Sequence, residues 1–352
     1  MGIKGFSKTF VPRIIKQKDL KNLTGALDAS VILYQSCLGM SIIKGLTDSN
    51  GTPTLHINVI IARVLNFIKS SVGQVWVFDY HEANYTSPDK EIELVKRRKR
   101  KADAKKKIAA LKKKQEEKKT GKKTKQTDGD LFTDSDEDAD DDDATEKKIN
   151  QQEKITFTMN EQIVNDCKFI LDCFDICWCI APKGTEAEKI CAEFTTTEDL
   201  DFVCDFVYTT DVDTLLYGAT QLVRSVKSKG KKVLQLYELE NLLSDNEIDM
   251  DDLQKIGIIL GSDHAPKTPR VGPKTVLRKF KDIELTEEQK AVNIFNKDVD
   301  LTKIEFHNPL DEIEVCSDEN KIKKLLDWLE SKAFNRDRIK KQILKVNPEL
   351  DI

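Results

Sequence analysis

The amino-acid sequence predicts an α/β fold in which helices flank a parallel-type central sheet. Residues 25–33 (GALDASVIL) have the pattern of a buried strand that continues into a helix, and residues 75–79 (VWVFD) form a second buried strand. Between them, residues 57–69 (INVIIARVLNFIK) show helical periodicity. Because parallel strands require a crossover connection, usually a helix, this alternation favours a parallel sheet.

The same alternation returns in the second half of the chain. Residues 158–174 predict an amphipathic helix, residues 176–180 (ICWCI) a strand, and residues 181–194 a turn that enters another helix. Residues 205–213 (DFVYTTDVD) predict a further strand, and residues 253–266 a helix followed by a turn. We therefore expect one α/β unit with a long insertion and not two tandem domains.

The charge distribution locates the insertion. Of the 352 residues, 34% are charged and the net charge is only −4, yet the two signs are segregated. Residues 96–125 hold seventeen Lys or Arg and three acids, whereas residues 128–143 hold ten acids and no base. Blocks of like charge are usually solvated or disordered. The expected divisions are an N-terminal region 1–95, an insertion 96–155 that carries the basic block and the acidic tract, an internal region 156–310 and a C-terminal helical segment 311–352.

Two further features of the sequence argue against a secretory signal, a membrane span and a zinc site. The N-terminal residues lack the apolar core of a secretory signal, and no apolar stretch is long enough to cross a membrane. The eight cysteines are irregularly spaced, as in CFDICWC at 173–179, and have no nearby histidine. Buried structural thiols are favoured over a zinc site, which needs four regularly spaced ligands.

Several acids follow the predicted strands, at the edge where open α/β sheets bind ligands. The alternating pair Asp211 and Asp213 is expected to place both carboxylates on one face of a strand. Taken singly, these acids have structural alternatives. Asp28 and Asp263 could be cap or turn residues, and Thr185 with Glu188 could form a capping box. The complete set is Asp28, Asp79, Glu186, Glu188, Asp211, Asp213 and Asp263.

Taken together, these acids predict a metal site. Converging carboxylates raise one another's pKa, and hard divalent cations such as Mg²⁺ prefer oxygen ligands. Two ions about 4 Å apart can hold the attacking water and the leaving oxygen of a phosphodiester.

In its motifs, the sequence resembles the flap endonucleases, which are XPG-type structure-specific 5′ nucleases of DNA replication and repair. The resemblance covers nearly the whole chain and is carried by ordered motifs: MGIKG, ALDASVILYQ, VFD, ELVKRRKRKADA, GTEAE, TTDVD, GSDH, VGPKT and a C-terminal helical stretch at 328–343. It implies a PIN-like nuclease domain with a helical arch and a helix-two-turn-helix DNA-binding element.

The resemblance also assigns roles to residues. It implies that the seven acids bind two Mg²⁺ ions, with Mn²⁺ as a substitute, and that the later aspartates serve the second ion. Lys90 and Arg97 at the base of the arch would bind the scissile phosphate. The alternative for Arg97 is that it is only a solvent-exposed charge on a helix. Tyr34 would stack on a base, with core packing as its alternative. Gly2 would allow close approach of DNA to the backbone.

The helix-two-turn-helix departs from the family pattern. His264 stands where the family has tyrosine, and Pro269 and Arg270 occupy the hairpin. Arg270, Gly272 and Lys274 remain the expected contacts to a phosphate backbone. The K⁺ site that the family builds here is less securely implied.

The resemblance implies a 5′ flap endonuclease with 5′–3′ exonuclease activity on nicks and gaps, acting as a monomer on branched DNA with a 5′ single-stranded flap. A relative that cuts bubbles or four-way junctions, a DNA-binding recruiter without catalysis, and an RNA-cleaving PIN-domain nuclease are the alternatives. No sliding-clamp motif is recognisable at the C-terminus. The basic run could also direct the chain to the nucleus, or the chain could act in a viral compartment or the cytoplasm. The acidic tract 128–143 is a solvated spacer, a weak competitor of DNA for the basic block, or a phosphorylatable tail around Ser135.

Overall fold

A single eight-stranded mixed sheet organises the chain. The computed structural model describes residues 3, 5–40, 54–81, 91–125, 145–146, 148–149, 151–153, 155–156, 159–198, 200–228, 230–262, 265–292, 295, 298–310 and 318–352. The strands are β1 (Arg13–Ile15), β2 (Thr24–Asp28), β3 (Gly73–Phe78), β4 (Cys177–Ile180), β5 (Phe206–Tyr208), β6 (Gln221–Ser228), β7 (Lys231–Glu238) and β8 (Phe306–His307). Their order across the sheet is β1-β7-β6-β5-β2-β3-β4-β8.

The central part of the sheet is parallel, as the sequence predicts. Strand β2 lies between β3 and β5 and pairs in parallel with both, while β4 and β6 extend the parallel region outwards. The edges differ from this pattern: β6 and β7 form an antiparallel hairpin, β1 pairs antiparallel with β7, and β8 pairs antiparallel with β4. The carboxyl ends of the five parallel strands therefore meet at one edge.

Helices cover both faces of this sheet. They are α1 (Phe6–Thr9), α2 (Ala29–Met40), α3 (Leu55–Lys69), α4 (Glu91–Lys125), α5 (Glu161–Cys173), α6 (Ala187–Glu193), α7 (Leu239–Asp245), α8 (Met250–Leu260), α9 (Val276–Lys279), α10 (Glu287–Lys290), α11 (Glu319–Ser331) and α12 (Arg336–Leu344). None of the helices in these described ranges is long and apolar enough to cross a membrane.

Strand β3 shows how the sheet divides the core. Its side chains alternate, so that Trp76 and Phe78 join one buried cluster while Val75 and Val77 join the other. Helices α2, α3, α5, α11 and α12 contribute to the first cluster, and α1, α6 and α8 to the second. Burial on both faces explains why the central strands are continuous apolar runs in the sequence.

Two sequence predictions need comment here. Strand β5 ends at Tyr208, so Asp211 and Asp213 do not share a strand face; Asp213 begins a 3₁₀ turn over Asp213–Leu215. The prediction of a longer strand was wrong because the chain turns to place Thr209 and Asp211 beside Asp28. The four-part division of the chain stays a prediction, and α4 runs across its expected boundary at 95/96.

Candidate metal centre and nucleic-acid interface

The six predicted metal-site acids that the structure describes lie at the carboxyl edge of the parallel strands. Asp28 is the last residue of β2, and Asp79 follows β3 directly. Glu186 and Glu188 lie at the start of α6, while Asp211 and Asp213 follow β5. The predicted residues Gly2, Lys90 and Asp263 lie outside the described residues.

Asp28 is at the middle of this group. Its side chain is buried; Oδ1 accepts the backbone N–H of Val31 at 3.0 Å and Oδ2 accepts the Thr209 hydroxyl at 3.3 Å. The cap role that the sequence allowed for Asp28 is therefore present together with its place in the acid group. Burial, reinforced by the charges of Asp79 and Asp211, raises the pKa of Asp28 to about 7 despite these hydrogen bonds.

Asp79 connects β3 to the start of α6. Its Oδ1 accepts the N–H of Ala187, the first residue of that helix, at 3.0 Å. The helix begins one residue later than a Thr185 cap would require, and Glu186 occupies the N-cap position. The capping box considered for Thr185 and Glu188 is thus wrong. The N–H of Ala187, at the start of the helix, is satisfied by the Asp79 carboxylate, which follows a distant strand.

The turn after β5 fixes the other two aspartates. The Thr209 hydroxyl accepts the N–H of Asp211 at 3.2 Å, and Oδ1 of Asp211 accepts the N–H of Asp213 at 3.2 Å. Oδ1 of Asp213 also accepts the N–H of Ile3 at 3.0 Å, so the N-terminal segment passes directly beside the acids. Both aspartate side chains are buried.

Sequence reasoning missed Tyr217, which donates its hydroxyl to Oε2 of Glu186 at 2.8 Å. Tyr217 is buried, and that burial, together with the nearby charges of Glu186 and Glu188, raises its pKa, so its hydroxyl stays a neutral donor. The only signal in the sequence was its position four residues after Asp213, on the far side of one 3₁₀ turn.

Glu188 shows that the acids act on one another electrostatically. Its pKa is raised well above the usual value, first by burial and then by the charges of Asp211, Asp28, Glu186 and Asp213. In the part of the chain that the structure describes, no three His, Cys, Asp or Glu side chains are already arranged to hold a metal ion. The donor chemistry nevertheless fits a hard divalent cation, because the group consists of carboxylate oxygens whose mutual repulsion a cation would relieve.

The thiols near this centre do not compete for that role. Six of the eight cysteines have side chains that the structure describes, and these six are buried: Cys167, Cys173, Cys177, Cys179, Cys191 and Cys204. Burial raises the pKa of Cys177 to about 12 and that of Cys191, which lies near Asp28, well above the usual value. The burial of these six thiols agrees with the prediction of structural cysteines.

The basic block lies on helix α4, where most of the basic side chains that the structure describes are exposed. Arg97 lies on it and is exposed, as both the phosphate-binding prediction and its solvated alternative require. The pKa of Lys101 is lowered by partial burial and by the neighbouring charges of Arg97 and Lys105. Tyr34 is half-buried on α2, and its stacking role stays a prediction.

The helix-two-turn-helix corresponds to α8, the connection 261–275 and α9. Arg270 is exposed and has a left-handed backbone with φ 62°, and Lys274 is exposed. The Gly272 N–H donates to the Thr275 hydroxyl at 3.1 Å, so a phosphate contact from this N–H would have to replace that bond. Their DNA-binding roles stay predictions.

This connection is fastened to the N-terminal segment. Thr9 donates its hydroxyl to the Pro273 carbonyl at 3.1 Å, and Gly5, with φ 83°, packs so closely on the Pro273 ring that a Cβ there would clash. The same segment carries Ile3, whose N–H binds Asp213. The backbone of the hairpin is thereby linked to the segment that contacts the acids.

Solved structures identify the fold. The flap endonuclease-1 from Methanococcus jannaschii matches with a TM-score of 0.65 and 21% identity, over 99% of this chain and 98% of that protein. The catalytic core of Rad2 in complex with DNA substrate matches with a TM-score of 0.63 and 15% identity, over 98% and 100% respectively. The chain thus has the PIN-type α/β fold of the flap endonuclease-1 and Rad2 catalytic cores.

Sequence comparisons identify the family. The XPG N-terminal domain matches residues 1–104 and the XPG I-region matches residues 175–263, together more than half of the chain. Flap endonuclease 1 of Leishmania major is 27% identical over 98% of this chain and 84% of its own length, and that of Methanosarcina barkeri is 28% identical over 94% and 91%. The chain belongs to the flap endonucleases of the XPG family.

Proposed function

We propose that this protein is a Mg²⁺-dependent 5′ flap endonuclease with 5′–3′ exonuclease activity on nicks and gaps. The observation that supports it most directly is the electrostatic group formed by Asp28, Asp79, Glu186, Glu188, Asp211 and Asp213 at one sheet edge. Two divalent cations bound there would stabilise the charge that develops on the phosphoryl oxygens and orient the attacking and leaving oxygens. Lys90, Arg97 and Asp263 complete the proposed machinery.

The acidic and the basic residues of the chain would have different roles. The carboxylates repel a phosphate unless cations neutralise them, so the acid centre alone cannot hold DNA. Helix α4 supplies exposed positive charge for a single-stranded flap, and Arg97 would contact the scissile phosphate through its forked guanidinium. Arg270 and Lys274 would hold the duplex behind the cut, with a K⁺ ion as a further candidate ligand of this hairpin.

The decisive test is cleavage of a 5′-labelled double-flap DNA in Mg²⁺ by wild type, Asp211→Asn and Asp245→Asn. Asp211 is buried in the acid centre, whereas Asp245 is an exposed aspartate at the end of α7, so the two changes are chemically matched. We expect a discrete cut at the junction by wild type and Asp245→Asn, with loss of that cut in Asp211→Asn.

The same assay distinguishes the alternatives. Faster cleavage of a bubble or a four-way junction than of the flap would assign the chain to another substrate class of the family. Tight flap binding with no cleavage in Mg²⁺ or Mn²⁺ would contradict the nuclease proposal and favour a DNA-binding recruiter.

A further inference from the structure

We propose that Tyr217 sets the preference of the acid centre for Mg²⁺ over Ca²⁺ by holding one oxygen of Glu186. This inference rests on the proposed function, because it concerns the cations that the acid centre would bind. It assigns a positioning role to a tyrosine that the sequence analysis did not single out.

The hydroxyl of Tyr217 is held rigidly. It donates to Oε2 of Glu186 at 2.8 Å, and only 8% of the tyrosine is exposed. The Phe295 ring packs on the phenol with 5.3 Å between centroids and 59° between planes, and Nζ of Lys189 lies 6.0 Å from the phenol centroid. The backbone at this point leaves the 3₁₀ turn of Asp213, and the N–H of Gly218 donates to the Leu215 carbonyl at 3.1 Å.

Ca²⁺ and Mg²⁺ differ in how they coordinate a carboxylate. Ca²⁺ accommodates about six to eight oxygens in flexible geometry and often takes both oxygens of one carboxylate, whereas Mg²⁺ is smaller, octahedral and usually bound through single carboxylate oxygens and waters. Bidentate binding by Glu186 would make Oε2 serve both the cation and the Tyr217 hydroxyl. Sharing that oxygen weakens the hydrogen bond of a buried donor, which is unfavourable. Mg²⁺ binding through one oxygen leaves the hydrogen bond intact.

The test compares Tyr217→Phe with Tyr237→Phe in the full-length, metal-stripped protein. Tyr237 is a matched control because it lies in the same buried cluster, is 3% exposed, and its hydroxyl has no hydrogen-bond partner among the described residues. CaCl₂ and MgCl₂ are titrated separately by isothermal calorimetry. We expect Tyr217→Phe to raise the Ca²⁺ affinity relative to the Mg²⁺ affinity by about tenfold, and Tyr237→Phe to leave the ratio unchanged.

A second variant examines Glu186 without altering the tyrosine. Glu186→Gln should weaken Ca²⁺ and Mg²⁺ binding by similar factors, because Tyr217 already limits this residue to one metal-binding oxygen for both ions. A much larger loss for Ca²⁺ would show that Glu186 binds it through both oxygens in the wild type and would overturn the inference. An unchanged Ca²⁺/Mg²⁺ ratio in a folded Tyr217→Phe protein would overturn it as well.

These outcomes are separable from failure of the proposed function. If wild type binds neither ion and cuts no flap, the acid centre is not a metal site and the proposed function fails. If wild type cuts the flap and binds both ions while Tyr217→Phe keeps the wild-type ratio, only the selectivity role of Tyr217 is lost.

Discussion

The acid centre and helix α4 both crowd charges of one sign, and they tolerate them in opposite ways. On α4 most of the basic side chains that the structure describes face water, which screens their repulsion. The pKa of Lys101 is lowered by partial burial and by the charges of two neighbours. In the acid centre Asp28, Asp211 and Asp213 are buried, and the pKa of Asp28 rises to about 7. Water screens the repulsion between exposed charges. The repulsion between buried carboxylates is not screened in this way, so it destabilises the folded protein until a cation relieves it.

The largest test of this contrast is Asp28→Asn. We expect flap cleavage to fall by about a thousandfold, because metal charge stabilisation is worth several kcal/mol and each 1.36 kcal/mol is a factor of about ten in rate. The amide can still accept the Val31 N–H, so the thermal midpoint in EDTA at pH 8 should rise as repulsion is removed. Asp245→Asn is the control, and a lower midpoint for Asp28→Asn would contradict stored repulsion.

The second test is the pH dependence of stability without metal. Asp28 titrates near 3.8 when unfolded and near 7 when folded, so the folded state binds the extra proton between these values. The free energy of unfolding in EDTA should therefore decrease as pH rises from about 4 to 7, by on the order of 4 kcal/mol from this group, and then level off. Urea titrations at several pH values measure it.

Two controls accompany the pH series. Asp28→Asn should reduce the slope because one titrating group is gone, while Glu188, whose pKa is also raised, keeps part of it. Mg²⁺ should restore stability at pH 8 because it binds the folded state. A wild-type profile that rises with pH in EDTA would contradict the assignment of repulsion to this centre.

The third test concerns helix α4 and uses its exposed residue Arg97. Arg97→Ala should lower the single-turnover rate by about ten- to a hundredfold if the guanidinium contacts the scissile phosphate, while Arg97→Lys restores part of it without the forked contact. The free energy of unfolding should change by less than about 0.5 kcal/mol, since the site is exposed. Lys18→Ala, in the 3₁₀ turn that precedes β2 and so at the opposite sheet edge, is the control. Equal rates for the two alanine variants would assign Arg97 to solvated charge.

The smallest expected effect is that of Lys274→Ala. If Lys274 binds one phosphate, the dependence of log affinity on log salt should lose about one unit of slope, and affinity should fall uniformly across DNA sequences. Fluorescence anisotropy with a duplex between 50 and 200 mM salt measures this. An unchanged slope would leave α4 as the main source of positive charge for DNA.

The sequence predicted the core of the fold because its signals are local. The apolar runs that became β2, β3 and β4, and the periodic stretches that became α3 and α5, are each visible within about fifteen residues. The antiparallel edges were missed. Strands β1 and β8 are three and two residues long and depend on long-range pairing, whereas β6 and β7 are eight residues each and form a local hairpin that the prediction did not include.

For the candidate site, the acids were predictable by type and place, but their partners were not. Asp79 binds the N–H of Ala187, and Asp213 binds the N–H of Ile3, contacts that span 108 and 210 positions. Tyr217 was missed for the same reason, since nothing near it in the sequence points to Glu186. The prediction of a shared strand face for Asp211 and Asp213 was wrong because a period-two pattern cannot show where a strand ends.

Core contacts on both sides hold the ends of the inserted arch to the sheet. Before the arch, Asp79 follows β3 and accepts the N–H of Ala187; after it, α5 packs into the buried cluster and β4 pairs with β3. Each doubling of the length of a flexible loop costs only about 0.6 kcal/mol in closure entropy. The arch can therefore be shortened, lengthened or exchanged for a relative's without moving the carboxylates, which allows evolution to change the DNA that is admitted while leaving the chemistry as it is.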